Sequence, residues 1–147
     1  KEIINWLHEP VIIGEFGYHQ AQEEIQFIAN EMELNEIQIP FLHQQKQDLS
    51  FEKFLVIDDF QSAVNNQQST DFLVLKIDIS DCSNQELKHF IANNKVFIET
   101  DFTKENINTI INSLNPFGIQ ISCKKEEKTG FSVVDEYAEI LEMIGFS

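Results

Sequence analysis

Six short apolar runs recur along the chain at intervals of about twenty residues, and the five gaps between them carry polar or helix-patterned sequence. The runs begin near residues 11, 36, 54, 72, 95 and 118. The clearest is FLVLKIDI at 72–79. They are continuous rather than alternating, as strands covered on both faces of a parallel sheet are expected to be. Helix-periodic stretches fill 21–33, 84–93, 104–114 and 133–144, and the stretch 2–8 reads as the end of a further helix. Gln61–Gln68 reads as a short helix or loop. The order is therefore one helix followed by six strand–helix units. It predicts an α/β fold built on a parallel sheet, either open and doubly wound or closed toward a barrel.

Local signals place the boundaries. Pro10 and Pro40 stop regular structure. Ser83 is a plausible N-cap for the helix at 84–93, and Thr103 for the helix at 104–114. Asn115-Pro116 ends the latter. On the helix at 21–33, Ile25, Phe27, Ile28 and Met32 are expected to form most of the apolar face. No low-complexity segment or linker divides the 147 residues, so one domain is expected.

Charge narrows the function classes. The formal net charge is −15, and all ten basic residues are lysine. A nucleic-acid surface needs a basic stripe, and none is visible. No apolar run approaches the roughly 18 residues of a membrane span, and no signal peptide is apparent. Cys82 and Cys123 make neither a metal spacing nor a disulfide framework, which fits a reducing cytoplasm. His8, His19, His43 and His89 share no metal-ligand spacing. Asp58-Asp59 follows the third apolar run and reads as an acidic loop start more readily than as a metal site.

The segments VFIETDFTKENI (96–107) and NPFGIQISCKKEEKTG (115–130) resemble the last two units of phosphoribosylanthranilate isomerase, a (β/α)8 barrel. That family carries "iLAGGLtpeNv" and then "PyGvDvsSGvE…pG". Ile98, Thr103, Glu105, Asn106 and Ile107 fall on the first pattern; Pro116, Gly118, Ile119, Ile121, Ser122, Glu126 and Gly130 fall on the second. Upstream, IIGEF (12–16) is similar to the third-strand "vGVFvn". LNEIQI (34–39) is similar to the fourth-strand "lDavQLHG", with Gln38 on its Gln. The resemblance implies a TIM-barrel-like parallel sheet holding strands three to eight of the family barrel. The first two strands have no counterpart. Six strands do not close an eight-strand barrel of ordinary geometry, so an upstream segment or a homodimer is expected to cover the open edges.

The resemblance also implies a site. The family's reaction is an Amadori rearrangement with a general base and a general acid. The base is a Cys on the first strand, outside this sequence, and the usual second-strand Arg has no match. The family's acid, an Asp ending strand six, aligns with Lys76, while Asp78 lies two residues on and toward the same side. These two are the candidate catalytic residues. Phosphate in such barrels is held by backbone N–H groups of the last two loops, where glycine permits close approach. The corresponding positions here are Thr100, Asp101, Ser122, Cys123 and Lys124, with Glu99 replacing an Ala. An uncompensated carboxylate a few ångström away opposes a dianion by roughly 1–4 kcal/mol. Lys124 and Lys125 would favour a small phosphorylated or anionic ligand, but pairing with Glu99, Asp101, Glu126 or Glu127 is the plainer expectation. No cofactor and no metal is implied. The altered motifs point to a barrel without isomerase activity; the alternative is an active sugar-phosphate isomerase of tryptophan biosynthesis whose base lies upstream.

Overall fold

A computed structural model describes residues 13–40, 51–58, 60–61, 72–122 and 134–144. Six strands follow one another in the sheet in chain order: β1 (Ile13–Glu15), β2 (Glu36–Pro40), β3 (Glu52–Ile57), β4 (Phe72–Lys76), β5 (Val96–Glu99) and β6 (Gly118–Gln120). Among the described residues, helix α1 (Gln22–Glu31) follows β1, α2 (Gln85–Asn93) lies between β4 and β5, α3 (Ile107–Leu114) between β5 and β6, and α4 (Val134–Met143) follows β6. The chain divides into two compact units, Lys1–Val74 and Leu75–Ser147, with the division inside β4. The expected helix ending at His8, residues 62–68 of the expected short helix or loop, His43 and Asp59 lie outside the described residues.

In the first unit, β1 pairs in parallel with β2, and β2 with β3. Ile37, Ile39 and Leu55 are wholly buried. Each such side chain contributes about 1.5–3 kcal/mol of hydrophobic stabilisation. Phe54 and Phe72 stack with ring centroids 4.9 Å apart. Helix α1 buries Ile25 and Ala29, but Phe27 is 67% exposed. That corrects the expected apolar face. At about 100° per residue, Phe27 points some 200° away from Ile25.

The end of α1 is a complete Schellman motif. The N–H of Glu33 donates to Asn30 O and that of Leu34 to Ala29 O, while Glu33 sits at φ 54°. This left-handed position ordinarily takes glycine. On the sheet, Gln38 is the one buried polar side chain among the described residues, 7% exposed. Its backbone carbonyl accepts from the N–H of Phe16. Its side-chain amide has no hydrogen-bond partner there, an arrangement that costs about 1–3 kcal/mol.

In the second unit, β5 pairs in parallel with β6. Leu87, Phe90 and Ile91 of α2, Val96 and Ile98 of β5, and Ile107, Ile110 and Leu114 of α3 are buried together with Phe102 and Ile140. Strand β4 stops at Lys76, short of the expected end at Ile79. Ile79–Ser83 turns into a 3-10 helix capped by Asp78. The next helix is capped by Asn84 rather than Ser83. Asn84 Oδ1 accepts from the N–H groups of Glu86 and Leu87, whereas the Ser83 hydroxyl is used within the 3-10 turn, on Ser80 O.

Thr103 does begin a helical turn. Its Oγ accepts from the Asn106 N–H, Asn106 Oδ1 accepts from the Thr103 N–H, and the α-helix proper follows from Ile107. Asn115, at φ 46°, closes α3 in the left-handed region, and the Phe117 N–H resumes pairing on Val96 O. Gly118 stands beside Phe97 in the ladder, and a Cβ there would lie 2.5 Å from the Phe97 ring.

Candidate functional site

The C-terminal ends of β4, β5 and β6 meet around Glu99. The Glu99 backbone carbonyl accepts from the Ile77 N–H at 3.1 Å. Its carboxylate reaches the other way. Oε2 accepts from Gln120 Nε2 at 3.2 Å, and Oε1 accepts from the Ser122 hydroxyl at 2.7 Å. Gln120 and Ser122 stand two residues apart at the end of β6, so extended backbone presents both to one side. One residue therefore ties three strand ends together. Bonds of this charge-assisted kind are about twice as strong as neutral ones.

The loop after β5 closes on itself. The Phe102 N–H donates to Thr100 O, and Asn106 Nδ2 donates to Asp101 O. The Thr103 and Asn106 N–H groups are taken by the reciprocal cap already described. Three backbone donors that such a loop offers to an anion are thus engaged within the loop. Thr100 is half-buried and Asp101 exposed. Beyond the loop, Lys104 pairs with Glu139 of α4. Glu105, fully exposed, is held below the usual carboxylate range, first by the Thr103 hydroxyl and then by its own backbone N–H.

The sequence candidates separate into three groups. Lys76 ends β4 and is exposed; Asp78 is exposed and starts the 3-10 turn, where its N–H donates to Asp81 Oδ2. Thr100, Asp101 and Ser122 lie at the ends of β5 and β6, and of these Ser122 joins Glu99 directly. Cys123 and Lys124 lie outside the described residues, as do Lys125, Glu126 and Glu127. Gln120 was not signalled by motif matching. Its two-residue spacing from Ser122 is the pattern that marks it. Among the described residues no group of three or more His, Cys, Asp or Glu side chains is placed to hold a metal ion. No helix among them is long and apolar enough to cross a membrane.

Alternating strands and helices in sheet order, with the candidate residues on loops that follow the strands, define a TIM-barrel-like α/β fold. A solved structure agrees. The chain is similar to the crystal structure of monomers generated from the dimeric phosphoribosylanthranilate isomerase of Thermotoga maritima, with a TM-score of 0.68 and 17% identity over 88% of this chain and 70% of that one. At this identity the likeness shows the fold. No protein-family model matches the sequence, and no curated protein matches it.

Proposed function

We propose that the chain is a phosphoribosylanthranilate isomerase-like barrel domain that has lost the isomerase reaction and works as a binding protein. The observation that carries this reading is the Glu99 carboxylate, which takes the side-chain donors of Gln120 and Ser122. In a phosphate-binding barrel an anion from solution would sit between these two loops. Here an anion built into the chain uses the Ser122 hydroxyl, and the neighbouring loop engages the N–H groups of Phe102, Thr103 and Asn106 internally. A dianion would have to displace the carboxylate while being repelled by it. Lys76 at the position of the family's general acid works in the same direction, because a lysine stands where the family has an aspartate.

A second reading is favoured by one feature. Asp78 keeps an exposed carboxyl just past the end of β4, two residues from Lys76. An acid there, with a base supplied by residues outside this sequence, would fit a sugar-phosphate isomerase acting in tryptophan biosynthesis. A cytoplasmic setting and a homodimer are compatible with either reading.

Complementation of a tryptophan auxotroph lacking the isomerase separates the two. The binding-protein reading expects no growth, together with no saturable binding of inorganic phosphate by calorimetry. Growth that disappears in Asp78→Asn would establish the enzyme instead.

A further inference from the structure

We draw no further inference here: the strongest candidate, the outward face of α1, where Phe27 is 67% exposed one helical turn from the exposed side chains of Glu23, Glu24 and Glu31, is a single ring on an acidic surface, and nothing in the structure shows what covers it.

Discussion

The Ser122 hydroxyl donates to Glu99 Oε1 at 2.7 Å, across 23 residues of sequence. With the Gln120 bond to the other oxygen, it makes Glu99 the joint between the ends of β5 and β6. Glu99→Ala is expected to lower the stability of the second unit by about 1–3 kcal/mol, because two donors lose a charged acceptor. Glu99→Gln should cost less, since its Oε1 still accepts from Ser122. Urea denaturation followed by circular dichroism measures both. Equal stability of Glu99→Ala and the parent protein would remove the carboxylate from its structural role.

Glu33 occupies the left-handed position of a Schellman motif at φ 54°. Glycine there avoids the Cβ clash, so Glu33→Gly is expected to stabilise the protein by up to about 1 kcal/mol. Asn115 holds the equivalent position after α3, at φ 46°. Asn115→Gly should stay within about 0.5 kcal/mol of the parent, whereas Asn115→Val should cost at least about 1 kcal/mol. Thermal melts of the three variants give the ranking directly.

Gly118 is required by Phe97. Gly118→Ala puts a methyl group against that ring and is expected to cost about 1–3 kcal/mol. Phe97 also contacts Phe117, with ring centroids 5.7 Å apart, which limits how far its ring can move away. Adding Phe97→Leu should recover part of the loss, so the double-mutant cycle should show coupling between the two sites.

Glu105 links stability to acid. Its folded pKa lies below the ordinary value, chiefly through the Thr103 hydroxyl. The folded state therefore binds its proton less readily than the unfolded chain does. The contribution is complete above the ordinary carboxylate value and fades as pH falls through the lower folded one. NMR titration of Glu105 is expected to show an upward shift in Thr103→Ala, with a shallower loss of stability between about pH 5 and 3.

Cys82 titrates in the opposite sense. Burial, followed by the nearby Asp81 carboxylate, pushes its thiol up from the ordinary value. The thiol is neutral at pH 7 and a poor nucleophile. In a Cys123→Ser background, alkylation of Cys82 by iodoacetamide at pH 8 should be slower than in the urea-unfolded chain. Asp81→Asn should accelerate it. Because the folded pKa is raised, any contribution to stability is lost as pH climbs past the unfolded thiol value rather than as it falls.

What the sequence by itself determined is local. Continuous apolar runs at about twenty-residue spacing specified an alternating α/β chain, and the strands at 36, 54, 72, 96 and 118 appear where those runs are. The end of α3 was legible in Asn115-Pro116, because proline cannot continue a helix and asparagine tolerates the left-handed region. The Thr103 cap was legible for the same kind of reason, a side chain reaching three residues along its own backbone. Capping at Ser83 and Asn84 was not decided by residue type, as both can cap. The 3-10 turn engages the serine and leaves the asparagine to the helix. Glu99 could be seen in the sequence as an acid where a small residue was expected. Only the tertiary structure decided that its two oxygens are held by Gln120 and Ser122, side chains more than twenty residues away that no local rule connects. Ladder register likewise set the buried amide of Gln38 between Glu15 and Phe54. Side-chain chemistry fixes what a residue can bond to; the pairing of distant strands fixes which partner, if any, is there.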